Sequence, residues 1–260
     1  MCIRDSNGII LMVEARIIES EPAMILQEQK KHLVITDLHI GFENTFSTNK
    51  IFLGDDSSIK QITTNVKKLI QNHSVDSVIL LGDIKSSISQ ISKNEWNDIP
   101  YFFDEIKKIS DIILIPGNHD AGIEKLVSDE ISMISSKGLV IDDILLTHGH
   151  TMPSENFASV NKIIMGHLHP VFFQEDSLVN GERVWISLKA KKELIFPSAK
   201  GEIEITVIPS FNPYFYATQK RHYTKSISPI IEKIKNGSIG KIITLDGTII
   251  GNESQLPNLL

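Results

Sequence analysis

The chain holds a single cysteine, Cys2, in 260 residues. A disulfide framework and a thiolate-held structural zinc are therefore excluded. No stretch reaches the roughly 18 uninterrupted apolar residues of a membrane span. The short Ile9 to Val13 run lacks the layout of a signal peptide. These absences lead to the expectation of a cytoplasmic protein without membrane contact. A basic excess is missing too: 26 Lys and Arg stand against 32 Asp and Glu, a formal net charge of −6. That balance argues against broad electrostatic capture of duplex DNA. Internal repeats, low-complexity tracts and a linker long enough for an independent second domain are also missing. Hydrophobic residues make up 41% of the chain, enough for a sizeable core.

Histidine is present in an ordered arrangement. Six of the nine histidines fall within five short clusters: Asp37-Leu38-His39, Gly82-Asp83, Gly117-Asn118-His119-Asp120, His148-Gly149-His150 and Gly166-His167-Leu168-His169. Each follows an apolar run: Leu33 to Ile35, Val78 to Leu81, Ile112 to Ile115, Ile144 to Leu146 and Ile163 to Met165. Aliphatic, β-branched runs closed by Gly, Pro or Asp read as strands buried on both faces. The clusters therefore lie just past the carboxyl ends of strands, where open α/β sheets place their ligands. His32, His73 and His222 stand outside every cluster and read as ordinary surface or turn histidines.

The donor atoms on offer are carboxylate and amide oxygen and imidazole nitrogen, a set suited to Mn, Fe or Zn. A pair of ions about 3.5–4 Å apart needs a bridging carboxylate and leaves a shared water poised for in-line attack on phosphorus. Asp83 is the natural bridge.

The ordered set DxH, GD, GNHD, HGH and GHxH resembles the calcineurin-like metallophosphoesterase superfamily over roughly the first two thirds of the chain. The resemblance implies an α/β (α+β) fold, a four-layer αββα sandwich of two mixed β-sheets flanked by helices. It implies that Asp37, His39 and His169 hold one ion and Asn118, His148 and His167 the other, with Asp83 between them. His119 would stand beside the leaving-group oxygen as general acid, with Asp120 as an orienting partner. In the HGH motif either imidazole could bind metal; His148 is favoured as ligand, with His150 contacting phosphate or supporting the site. The implied cofactors are two divalent ions, Mn²⁺ first, with Fe, Zn, Ni and Co as alternatives.

Asp83 is followed by Ile84-Lys85-Ser86-Ser87, without the Asp-Arg-Gly of the phosphoprotein phosphatase branch, so protein phosphatase activity is not expected. The motifs look instead like the small prokaryotic phosphoesterases related to double-strand-break repair nucleases and DNA-ligase-associated metallophosphoesterases. Many of those carry a His where this chain has Ser86, which weakens any transfer of substrate contacts there and touches no metal ligand. Lys85 reads equally well as a phosphate contact or as a solvated loop lysine.

Between the motifs, Ile59, Ile62, Val66, Leu69 and Ile70 recur at helical spacing, which predicts a helix from about Ser57 to Asn72 and a βαβ crossover. A second helix is expected over Asn94 to Ile109, with Ser92-x-x-Glu95 as a capping box, Pro100 at a start or kink, and Trp96, Phe102 and Phe103 in the core. Later segments, Arg183 to Leu188, Glu193 to Phe196 and Ile203 to Ile208, read as strands of an antiparallel second sheet. Ser210 to Tyr216 is rich in turn residues and reads as a packing loop or hairpin, with approach to the site as the alternative. Pro229 to Ile234 suggests a short helix, and Lys241 to Ile250 a hairpin around Asp246-Gly247. Four lysines between Lys189 and Lys200, and the cluster Lys220-Arg221-His222-Tyr223, read as solvated faces rather than a basic groove.

The expected organisation is a non-native or disordered 1–12 with a true start near Met12, a metallophosphoesterase domain over 13–225, and an appendage over 226–260 packed on it. The expected activity is dinuclear metal-dependent phosphodiester hydrolysis by a metal-bridging hydroxide, with nucleic-acid fragments or cyclic nucleotides as substrates. A phosphomonoesterase and a non-catalytic subunit of a nucleic-acid repair or processing assembly are the alternatives. The oligomeric state is open, and a homodimer is compatible with the sequence.

Overall fold

The computed structural model describes residues 13–42, 58–174, 176–213, 215 and 228–254. The cluster Lys220 to Tyr223 lies outside them. Six strands form the first sheet in the order β1 (Glu14–Ile17), β2 (Met24–Gln27), β3 (Lys31–Ile35), β4 (Ser77–Leu80), β5 (Asp111–Leu114), β6 (Ser132–Met133). Its β3, β4, β5 and β6 run parallel, and β1 and β2 are antiparallel additions. Helix α1 (Ser58–His73) crosses from β3 to β4 and α2 (Lys93–Lys107) from β4 to β5, which is the expected βαβ arrangement.

The second sheet contains β7 (Leu139–Ile141), β8 (Ile144–Thr147), β9 (Lys162–Met165), β10 (Val184–Lys191), β11 (Glu202–Val207), β12 (Ile239–Thr244) and β13 (Ile249–Asn252). Their order is β13-β12-β10-β11-β9-β8-β7. It too is mixed: β8, β9 and β11 are parallel, and the remaining pairs are antiparallel. The C-terminal hairpin joins this sheet through β12 on β10, and α3 (Pro229–Ile234) precedes it.

Alternation along the strands builds three apolar layers. Leu33 and Ile35 of β3, and Val78 and Leu80 of β4, face α1 and α2, meeting Ile62, Val66, Ile99 and Phe102. Val34 and Ile79 face the other way and meet Leu146, Ile164 and Trp185 of the second sheet. On that sheet's far side, Ile163, Ile186 and Ile205 pack with Ile230, Ile231 and Ile234 of α3. The result is the αββα sandwich. Among the described residues no helix is long and apolar enough to cross a membrane.

The capping box forms as expected, with Ser92 as N-cap of α2 and Glu95 three positions on. Pro100 sits inside this helix rather than at its start.

Several expectations are corrected. Residues 192–194 form a 3₁₀ turn, not a strand, because Ile195 and Phe196 are buried in the layer under α3 and Pro197 follows at once. Trp96 is not core: it is 49% exposed, in the first turn of α2, although Ile99 and Phe103 further along the helix are buried. His32 is buried, not superficial, with Nδ1 2.6 Å from Ser77 Oγ and Nε2 3.2 Å from Glu28 Oε1. Among the 189–200 lysines, read as a solvated face, Lys192 is instead buried and donates to Asn161, while Lys189 pairs with Glu202.

Phe102 is fully buried, edge-to-face with Phe103. Phe102→Ala should destabilise the protein by about 3–5 kcal/mol, measured by urea denaturation. A loss below about 1 kcal/mol would mean that this layer is not packed as described.

Candidate metal centre

All five polar clusters lie immediately after parallel strands: Asp37 after β3, Asp83 after β4, Asn118 after β5, His148 after β8 and His167 after β9. The two sheets therefore each bring loops to one shared rim. The loops are tied to one another by the backbone: Asp37 N–H donates to the Gly82 carbonyl, His39 N–H to the Asp83 carbonyl and Gly166 N–H to the His148 carbonyl. Nine described non-glycine residues have a left-handed φ, and Asp37, His39, Asp83, His167 and His169 are five of them. Such backbone is uncommon outside glycine, although Asp and His adopt it more readily than most residues, and five instances in one site require surroundings that hold them there. Two glycines explain how close the loops can come. A Cβ on Gly117 would lie 2.2 Å from Asp83 Oδ1, and one on Gly166 2.0 Å from Thr36 Oγ1 and 2.7 Å from Asp37 Oδ2.

Two donor groups result. Asp37, His39, Asp83 and His169 present ligand atoms within 4.8 Å of one another, as do Asp83, His148 and His167. Asp83 is common to both. Asn118 Oδ1 joins the second group, 3.2 Å from His148 Nε2. All seven residues expected as ligands are thus brought together, and His148 rather than His150 completes the second group. His150 stands just outside, its ring 5.2 Å from His148 and 6.1 Å from His167.

The arrangement fits a pair of cations. Asp37 Oδ2 accepts from the His167 N–H, and Asp83 Oδ1 from the His119 N–H. Asp83 Oδ2 is buried without a hydrogen-bond donor, and Asp37 Oδ1, also buried, has only the His169 Nε2 close by, at 3.1 Å. Buried carboxylate oxygens are normally satisfied. His39 Nε2 faces His169 Nε2 at 3.2 Å, and His167 Nδ1 faces His148 Nε2 at 3.1 Å. Facing lone pairs of this kind are relieved by a shared proton or a cation.

Burial and the neighbouring His169 push the His39 imidazole down to about 3, and burial and His148 push His167 down to about 4. Both rings are therefore neutral at physiological pH, the form that binds metal. His148 goes the other way: burial opposes its charge, but Asp83 and Asp37 prevail and raise it to about 9. Its Nδ1 donates to the Leu81 carbonyl at 2.7 Å, so Nε2 is the atom turned toward Asp83. Without metal, a proton on Nε2 occupies a cation's place.

His119 is held differently from the ligands. Its Nδ1 lies 2.6 Å from the Ser86 carbonyl, which can only accept, so Nδ1 carries a proton and Nε2 is left toward the site, 3.9 Å from Asp83 Oδ2. The side chain is 18% exposed, whereas those of His39 and His148 are fully buried. Asp120 does not orient this ring, contrary to expectation. Its carboxylate accepts from the N–H groups of Ile84, Lys85 and Gly117, clamping the second and third loops together. Lys85 is likewise corrected. It is fully buried, its ammonium donating to the carbonyls of Ser87 and Ile88, so it is neither a solvated lysine nor presented to a substrate here.

Other contributors carried no sequence signal as site residues. Ser210 Oγ donates to the Asp37 carbonyl and Asn212 Nδ2 to the Leu38 carbonyl, so the 210–213 loop braces the first motif from behind. Phe215 stacks on His39 at 3.7 Å and 6°. The described residues of this segment, 210–213 and 215, therefore approach the site.

Two outcomes follow for metal loading. Asp83→Asn should empty both groups rather than one, read as metal content of the purified variant at unchanged circular dichroism; retention of one ion would refute the shared bridge. Because the His148 proton must leave, apparent affinity should rise about tenfold per pH unit up to about pH 9 and then level off. Calorimetric titration in two buffers of different ionisation enthalpy checks this, and pH-independent binding would contradict it.

A family model described as calcineurin-like phosphoesterase matches residues 30–217. No curated protein matches the chain. Among solved structures, the nuclease MPE of Pseudomonas putida is similar in fold, with a TM-score of 0.54 and 14% identity over 91% of this chain and 100% of that one. The phosphoesterase Yfce of E. coli gives a TM-score of 0.39 and 14% identity over 85% of this chain and 97% of its own. With the family match covering all five loops and their shared rim, the chain belongs to the calcineurin-like phosphoesterase family.

Proposed function

We propose that the protein is a dinuclear phosphodiesterase of the cytoplasm, acting on nucleic-acid fragments or cyclic nucleotides, with Mn²⁺ as the ion it uses. The observation that carries this reading is the pair of donor groups sharing Asp83, with the solvent-facing His119 beside them. One solved protein of this fold is a nuclease, so the fold accommodates diester cleavage.

Asp37, His39, Asp83 and His169 would hold one ion, and Asp83, Asn118, His148 and His167 the other. Such ions, when bound, acidify a water toward neutrality and neutralise charge on a phosphate. The rest falls to the protein. The Ser86 carbonyl fixes the His119 ring so that, when protonated, Nε2–H can donate to the departing oxygen. After donation the ring is left in the Nδ1–H tautomer that the carbonyl already selects. His150, half-buried beside the second group, is placed to contact a phosphate oxygen.

The test is Mn²⁺-dependent hydrolysis of bis-p-nitrophenyl phosphate compared with p-nitrophenyl phosphate. A higher rate on the diester is expected, and a preference for the monoester would replace this reading with a phosphomonoesterase. On a diester with an alkoxide leaving group, such as thymidylyl-thymidine, His119→Ala should lower kcat by roughly 10²–10⁴-fold at unchanged metal content. Turnover at the parental rate would remove His119 from the chemistry.

A further inference from the structure

Glu95 is fully buried although it sits in the first turn of a surface-facing helix. A capping box requires one bond from its carboxylate, to the N-cap N–H. Here the Ser92 N–H supplies that bond at 2.6 Å, and three further donors converge on the same group. Oε1 accepts from the N–H groups of Ser86 at 3.0 Å and Ser87 at 2.8 Å, and Oε2 from Ser87 Oγ at 2.9 Å. Burial pushes this carboxyl up, but the bonds from Ser87 and Ser92 prevail and keep it below the ordinary range, as expected of a carboxylate among donors only.

The segment so held is the one that supports His119. Ser86 gives its N–H to Glu95 and its carbonyl to His119 Nδ1. The buried Lys85 ammonium holds the far side of the same turn through the carbonyls of Ser87 and Ile88. Ser86 N–H also lies 3.1 Å from the Ile40 carbonyl, which ties the turn to the first motif. A carboxylate and an ammonium, both out of water, thus grip a three-residue turn whose Ser86 carbonyl holds the His119 ring.

We propose that Glu95 is a positioning residue for His119, acting through the Ser86-Ser87 turn to fix the ring's tautomer and aim. The inference rests on the role given to His119 above. In Glu95→Gln one accepting oxygen becomes a donor facing N–H or O–H groups, so the turn loses part of its grip while the side-chain volume stays the same.

The experiment compares parent, Glu95→Gln, His119→Ala and the double variant, each with metal content measured. Substrates are bis-p-nitrophenyl phosphate, whose leaving group needs little protonation, and thymidylyl-thymidine, whose alkoxide leaving group needs it most. Glu95→Gln should lower kcat on the dinucleotide by on the order of 10- to 100-fold, with a smaller loss on the nitrophenyl diester, and should have little further effect on His119→Ala. An independent readout is the nitrogen-15 spectrum of histidine-labelled, zinc-loaded protein. His119 should show a fixed Nδ1–H tautomer in the parent and lose it in Glu95→Gln. Equal losses on both substrates, repeated in the His119→Ala background, would reduce Glu95 to a structural cap. An unchanged tautomer in the variant would overturn the proposal by itself. If the parent hydrolyses neither diester, the functional reading has failed, and the spectra still decide whether Glu95 orders the ring. Should Glu95→Gln not fold, Ser87→Ala removes one of the four bonds, and a weaker change of the same pattern is expected; no change in tautomer or substrate ratio would count against the proposal.

Discussion

Asp83 is the point on which the site depends. It is buried, it lies within reach of His39, His119 and His148, and only one of its oxygens has a hydrogen-bond donor. Asp37 repeats the pattern nearby. Two dry carboxylates with open oxygens, ringed by imidazoles of which His39 and His167 are held neutral, would be unfavourable as a self-contained core. Against burial, the neighbouring His169 and then His148 hold the Asp37 carboxyl down, and His148 above all does so for Asp83. Cations between the two donor groups would complete the balance that these imidazoles only begin.

That requirement explains the architecture around it. Donors must come from both sheets, so two mixed sheets are packed through Val34, Ile79, Ile164 and Trp185 with their parallel strands ending on one rim. The loops must turn sharply enough to point side chains inward, so five of the residues proposed as ligands adopt left-handed backbone, at roughly 1–3 kcal/mol each. Cross-loop hydrogen bonds and the Asp120 clamp hold these conformations. The close approach of Gly117 to Asp83 and of Gly166 to Asp37 follows from the same crowding.

The ligands were legible in the sequence because their spacing repeats the relation of strand end to polar loop five times, and α1 because its apolar face is regular. Elements governed by tertiary contact were not. Strands β1, β2, β6 and β7 end in no polar motif that marks them, and their pairing decides them. Residues 193–196 have strand-like composition, yet burial of Ile195 and Phe196 beneath α3 bends the chain into a turn. Asp120 reads as a partner of the adjacent His119, but its carboxylate serves backbone N–H groups. The true partner of the ring is a main-chain carbonyl at Ser86, which no side-chain pattern encodes. Glu95 was legible as a cap and illegible as the hub of four bonds, since the turn it holds lies upstream of the helix.

The central claim is one centre of two ions joined by Asp83. Anomalous diffraction from crystals grown with Mn²⁺ tests it most directly. The account predicts two peaks about 3.5–4 Å apart, with Asp83 contacting both, Asp37, His39 and His169 on one, and Asn118, His148 and His167 on the other. A single peak, or two peaks that Asp83 does not join, would contradict it.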